Sequence, residues 1–232
     1  MKPGRARRRK GAHRSARSWL SISVNDFDAK ARSWDADPAK VERARKVAEL
    51  ISARVPTLAA ARVLEIGAGT GLLGFALRDP AKEVMLADSS PEMLAVATER
   101  LRASGACNVA IVGLDLEKDQ LPAARYDVVC ALLVLHQVPD TDALLRKLHG
   151  VLEPGGYLCL SDLEVENASF HGAGFSGHNG ISREGLRDAI QRAGFTDVQF
   201  QPAFEIRKPV AGTFRSVPAF LATARRSRSD TL

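Results

Sequence analysis

The chain has 232 residues, 45% of them hydrophobic, and a net charge of +6. That length suits one sizeable domain burying roughly 70% of its unfolded surface, and no apolar run reaches the roughly 18 residues of a membrane span. Cys107, Cys130 and Cys159 form no CxxC pair, so disulfide and zinc frameworks fall away, no metal is expected, and the reading is buried, reduced thiols in an intracellular, cytoplasmic protein.

The charge is unevenly spread. Eight of the 33 Lys and Arg fall in the first 25 residues, which hold no Asp or Glu, so the remainder carries 25 basic against 27 acidic side chains, a net of −2. Residues 1–25 therefore read as a basic, disordered leader. A mitochondrial transit peptide or a nuclear address around Arg7-Arg8-Arg9-Lys10 are its alternative readings. Residues 26–226 read as one domain and 227–232 as a short polar tail.

In chain order, Asp37 as cap and Pro38 at the first helical position start a helix with an apolar stripe of Val41, Ala44, Ala48, Ile51 and Val55. Strands and helices then alternate, as in a parallel sheet covered on both faces. The predicted strands are Arg62 to Ile66, Glu83 to Ala87, Val109 to Val112, Tyr126 to Leu133, Tyr157 to Ser161, Asp197 to Gln201 and Val217 to Ala224. Between them the pattern predicts a helix from Thr70 to Arg78, one capped by Ser90 and striped by Met93, Leu94, Ala97 and Leu101, and one bearing Leu144, Leu145, Leu148 and Leu152. Pro154-Gly155-Gly156 reads as a turn, a glycine-rich loop runs from His171 to Gly180, and a last helix runs from its cap Ser182 to Gly194.

The first strand breaks into Gly67-Ala68-Gly69-Thr70-Gly71 before its helix. Such a turn is expected to bring bare backbone N–H groups and the positive end of a helix to one point, suited to a nucleotide-like ligand. A dinucleotide fingerprint would need glycine at position 72, where leucine stands. Asp88 ends the second strand 21 residues after Gly67, placed to accept from the two hydroxyls of a ribose.

Taken with Leu86 to Leu94, Gly113 to Leu116, Tyr126 to Asp140 and Leu148 to Gly156, this turn makes residues 26 to 224 resemble a class I S-adenosylmethionine-dependent methyltransferase of the small-molecule type. The resemblance implies a seven-stranded Rossmann-like sheet, mostly parallel with the last strand antiparallel, and helices on both faces. It implies S-adenosyl-L-methionine as cofactor, with Glu65, Gly67, Ala68, Gly69 and Gly71 around its methionine portion and Asp88 on the ribose. Ser89 and Met93 would flank the adenine, Asp115 would accept from its amino group, and Leu116 would offer a backbone N–H. Ala131 would lie beside the sulfonium, and Trp34 in the amino-terminal segment would cover the cofactor.

The expected reaction is methyl transfer to an oxygen, nitrogen or carbon of a small organic acceptor. His136, His171 and His178, near the carboxyl ends of the fourth and fifth strands, are the candidate general bases, with Asp162 and Glu164 as further substrate-facing polar groups. Three rival readings stand beside it. A nucleic-acid or protein methyltransferase would hold its substrate with the basic leader, but the net −2 of the body and the missing Asn/Asp-Pro-Pro-aromatic tetrapeptide speak against it. A cofactor-binding interaction protein without turnover is opposed by the intact Gly67, Gly69, Gly71 and Asp88, and a pyridine-dinucleotide enzyme by Leu72. Oligomeric state has no signature in the sequence.

Overall fold

The computed structural model describes residues 27–116, 118–120, 123–165, 180–210 and 213–228. The basic leader, His171, His178 and most of the glycine-rich loop, and the end of the polar tail lie outside the described residues.

Seven strands, β1 Arg62–Ile66, β2 Glu83–Asp88, β3 Val109–Gly113, β4 Tyr126–Leu132, β5 Leu152–Leu163, β6 Phe195–Val210 and β7 Thr213–Arg226, lie in the order β3-β2-β1-β4-β5-β7-β6. The first five pair parallel, while β7 runs antiparallel to both β5 and β6. The helices are α1 Pro38–Arg54, α2 Leu72–Leu77, α3 Pro91–Ser104, α4 Thr141–Val151 and α5 Arg183–Arg192. Because successive side chains of a strand point to opposite faces, Val63 packs with Val47 and Ile51 of α1 and Leu73 and Leu77 of α2, whereas Leu64 and Ile66 pack with Leu144, Leu145 and Leu148 of α4 and Leu186 and Ile190 of α5. The expected fold is the one observed.

Several local expectations shift. Ala44, Ala48, Ile51 and Val55 of the α1 stripe are buried as expected; Val47 joins them, and Val41 is exposed. Leu133 has φ 59°, a left-handed conformation rare for a branched side chain, and it ends β4 one residue early. Gly71 caps α2, which therefore starts at Leu72 rather than Thr70. Leu152 opens β5 instead of extending α4, and Pro154-Gly155-Gly156 forms an irregularity inside that strand, between the pairs Tyr126–Leu152 and Val128–Tyr157. β6 runs on through Pro202, which an edge strand tolerates because one row of its N–H groups needs no partner. Cys130 and Cys159 are buried neighbours on β4 and β5, and burial pushes the Cys159 thiol up to about 12. Cys107, expected to be buried, is exposed.

Candidate active site

The chain leaves β1 for β2 on one side of the sheet and β4 for β5 on the other, so a crevice opens where the carboxyl ends of β1 and β4 diverge, the place ligands occupy in open α/β sheets. A cavity of about 1050 Å³ lies there. One wall comprises the turn after β1, the ends of β2 and β3 and the exit of β4. The amino-terminal half of α1 and residues 204–207 of β6 form the other.

Gly67, Gly69 and Gly71 have φ of 60°, 55° and 81°, conformations that side chains resist. At Gly67 a Cβ would also stand 2.5 Å from Val134 Cγ2. The expectation of bare amides is corrected at Ala68, Gly69 and Gly71, whose N–H groups are engaged within the protein, as is that of Gly74 in α2. Ala68 N donates to Ala87 O (3.0 Å), Gly69 N to Asp88 Oδ2 (2.7 Å), Gly71 N to Ala68 O (2.8 Å) and Gly74 N to Glu65 Oε2 (2.8 Å). With two carboxyl groups in the wall, the turn suits a ligand bearing hydroxyls and positive charge.

Glu65 is 2% exposed, and burial raises its carboxyl to about 8 despite the Gly74 hydrogen bond. It fits beside Gly74 because that residue is glycine: a Cβ there would meet Leu86 Cδ2 at 2.1 Å and Glu65 Oε2 at 2.7 Å. A raised carboxyl stabilises the fold fully below its unfolded value near 4.5, and this contribution is lost as pH rises through about 8. The unliganded protein is thus expected to lose roughly 1.4 kcal/mol per pH unit from this group across that window. Denaturant titrations of parent and Glu65→Gln from pH 5 to 8.5 check this, since the variant should lack that part of the slope.

Asp88 is largely buried, which raises its carboxyl, and the amides of Ser90 and Gly69 partly offset the shift. Oδ1 accepts from Ser90 N (2.8 Å) and Oδ2 from Gly69 N (2.7 Å). The Ser89 amide also bonds this carboxylate, and with about four acceptor positions the group keeps capacity for a ligand hydroxyl. Ser89, Met93, Asp115 and Leu116 continue the same wall. Met93 is buried, and Asp115 Oδ2 pairs with Lys118 Nζ at 2.6 Å on the more exposed rim.

Trp34 also lines the cavity, edge-on to Phe27 (centroids 6.0 Å) and under Lys40 Nζ (3.5 Å from the ring centroid). The segment carrying it is tied to the wall that bears the glycine turn and Asp88. Thr70 Oγ1 donates to Asp35 Oδ1 (2.6 Å), Ser90 Oγ to Asp28 Oδ1 (2.5 Å), and Arg100 of α3 pairs with Asp35.

His136 follows β4 in the short 3-10 turn Leu135–Gln137, is 5% exposed and lines the cavity. Its Nδ1 lies 2.7 Å from Oδ1 of Asp162, and its backbone N–H donates to Oδ2 at 3.2 Å. Asp162, fully buried at the end of β5, also accepts from Leu163 N at 2.7 Å. With Asp162 ionised, the ring proton resides on Nδ1 and the basic lone pair on Nε2.

Glu65, Gly67, Ala68, Gly69, Asp88, Ser89, Met93, Asp115, Leu116, Trp34 and His136 all line one cavity. Two expected contacts do not. Ala131 is fully buried in the core beside Leu64 and Leu160, and Leu132, Leu133 and Val134 line the cavity at the end of β4. Gly71 faces Leu86 and Phe75. Asp162 holds the histidine instead of facing substrate. Its signal lay in the sequence, since an acid inside the apolar run Leu158 to Leu163 needs a buried partner. Arg43 and Lys40 of α1 also line the cavity and were not among the expected site residues.

Comparison with known proteins agrees with this geometry. Residues 64–158 match the family model described as a methyltransferase domain. A ubiquinone biosynthesis O-methyltransferase of Xanthomonas axonopodis pv. citri is 34% identical over 164 residues, 68% of this chain and 67% of that one. Its counterpart in Xanthomonas oryzae pv. oryzae is 36% identical over 144 residues, 60% of this chain and 59% of that one, so the match spans about three fifths to two thirds of these relatives. The solved DhpI-SAH complex superposes with a TM-score of 0.69 over 92% of this chain and 99% of that chain, at 22% identity. Glycine turn, acidic wall and relatives converge: the chain belongs to the class I methyltransferases that use S-adenosyl-L-methionine.

Proposed function

We propose that this enzyme methylates a hydroxyl oxygen of a small aromatic acceptor, with His136 as the general base and Asp162 as its positioning residue. The carrying observation is the buried His136–Asp162 pair on the cavity wall at 2.7 Å. Transfer to an amine lone pair needs no such base, whereas a phenol must lose its proton as it reacts. The Xanthomonas relatives, named as O-methyltransferases, support the same acceptor atom.

In this reading Glu65, Gly67, Ala68 and Gly69 surround the methionine portion of the cofactor and Asp88 takes the ribose hydroxyls. Ser89, Met93, Asp115 and Leu116 enclose the adenine, and Trp34 covers it. Bound S-adenosylmethionine supplies a methyl group already activated by a positive sulfur. His136 Nε2 accepts the phenolic proton, and Asp162 holds Nδ1–H and stabilises the imidazolium. The cofactor would give its methyl to the acceptor oxygen, and the electron pair of the broken carbon–sulfur bond would pass to sulfur, leaving S-adenosylhomocysteine. Holding oxygen, methyl and sulfur in line is worth several kcal/mol of barrier, up to about 11 in the best cases.

Incubation with S-adenosylmethionine and matched catechol and aniline acceptors tests the proposal. The expected result is S-adenosylhomocysteine and a methyl ether from the catechol. Turnover of the aniline alone overturns the assignment.

A further inference from the structure

We infer that β3 is the seam of a homodimer, in which a second copy of this chain lays its own β3 antiparallel across a two-fold axis at Ile111 and joins the two sheets into one. The inference does not depend on the identity of the methyl acceptor.

β3 is one edge of the sheet and is bonded only to β2. Asn108 O accepts from Val84 N at 2.8 Å, and Leu114 N donates to Asp88 O at 2.8 Å. Alternate residues of a strand turn their backbone groups to the same neighbour, so Ala110 and Val112 also face β2, while Val109, Ile111 and Gly113 turn their N–H and C=O groups outward. Among the described residues no protein group meets them. Such an edge accepts a further strand unless charge, proline or a bulge blunts it. The opposite edge, β6, carries two register shifts, Pro202, Asp197 at φ 55°, and the exposed charges of Glu205 and Arg207. β3 reads Val-Ala-Ile-Val-Gly, with no charge, proline or shift of register.

The occupant follows from the symmetry of this edge. Its outward residues are evenly spaced about Ile111, so an antiparallel copy sets Ile111 against Ile111 of the partner subunit and Val109 against Gly113 of the partner subunit. Every outward N–H and C=O of both copies is then paired, as an isologous interface requires. The flanking charge favours the same sense. Arg102 stands exposed in the last turn of α3 ahead of β3, whereas residues 114–119 behind it carry three acids and one base, so the antiparallel arrangement brings the basic flank of each copy toward the acidic flank of the other. Ile111, Val112 and Leu94 are half-buried, and Leu94 Cδ1 lies 3.8 Å from where a Gly113 Cβ would stand, which gives the seam an apolar border to cover.

Sedimentation of the full-length protein over a micromolar dilution series reads the assembly, and S-adenosylhomocysteine binding reports that each variant is folded. The parent should sediment as a dimer. Ile111→Pro removes an outward N–H while keeping the bonds to β2, and it should sediment as a monomer. Ala110→Lys, a milder change at an exposed position, should shift the equilibrium toward monomer. In a Cys107→Ser background, Ile111→Cys should form an intersubunit disulfide on mild oxidation, because facing residues of a hydrogen-bonded antiparallel pair have Cα atoms about 5.5 Å apart, within disulfide reach. Ala110→Cys, which faces Val112 of the partner subunit instead of its own copy, should not. A monomeric parent, a dimer unchanged by Ala110→Lys or by a folded Ile111→Pro, or a dimer that Ile111→Cys fails to cross-link overturns the proposal.

Discussion

Asp88→Ala is expected to bind S-adenosylhomocysteine at least about 100-fold more weakly than the parent protein. Hydrogen bonds to a charged acceptor contribute roughly 1.5–3 kcal/mol each, and the two ribose hydroxyls proposed to donate to Asp88 would lose both. The alanine also strands the amides of Gly69 and Ser90, which the carboxylate holds at 2.7 and 2.8 Å, so the turn loses its shape as well as its acceptor. Asp88→Asn separates these effects, because the amide keeps one acceptor oxygen and should lose less. Calorimetry on variants whose thermal transitions remain cooperative gives the comparison. An alanine variant that binds as tightly as the parent would remove Asp88 from the ribose.

His136→Gln should lower kcat on a catechol acceptor by roughly 10²- to 10⁴-fold, the range for general bases, and keep its affinity for S-adenosylhomocysteine. Asp162→Asn leaves the ring in place but takes away the charge that stabilises the imidazolium, so kcat should fall while affinity for S-adenosylhomocysteine holds. A purely structural Asp162 would change stability without lowering kcat. Equal rates for the parent and His136→Gln would show that the cavity works by positioning alone.

Most of the sheet was legible because parallel strands buried on both faces leave continuous apolar runs, and glycine, proline and capping residues punctuate them. The cofactor wall was legible for a related reason: Glu65, the glycine turn and Asp88 lie within 24 residues at strand ends, where spacing along the chain becomes spacing in space. Contacts between distant segments were not. Asp162 reaches His136 only because β4 and β5 are neighbours, so the sequence marks an acid in an apolar run without naming its partner. Arg43 reads as solvent-facing until β6 crosses the amino-terminal half of α1. At the start of α1 the stripe begins at Ala44 rather than at Val41, which is exposed, a boundary that local periodicity does not mark. β6 outran its predicted end at Gln201 because nothing local marks an edge strand.

The engaged amides of the glycine turn bear on how readily this scaffold could change its cofactor. Judged by glycine spacing alone, Leu72→Gly would restore a dinucleotide fingerprint in one step. A pyrophosphate arriving there would still find Ala68, Gly69, Gly71 and Gly74 donating to the protein itself, and the carboxyl groups of Glu65 and Asp88 nearby. Freeing the Gly69 and Gly74 donors means replacing both acids, while those of Ala68 and Gly71 stay bound to backbone carbonyls. Redesign toward nicotinamide cofactors would therefore have to begin at Glu65 and Asp88, well before any glycine is moved.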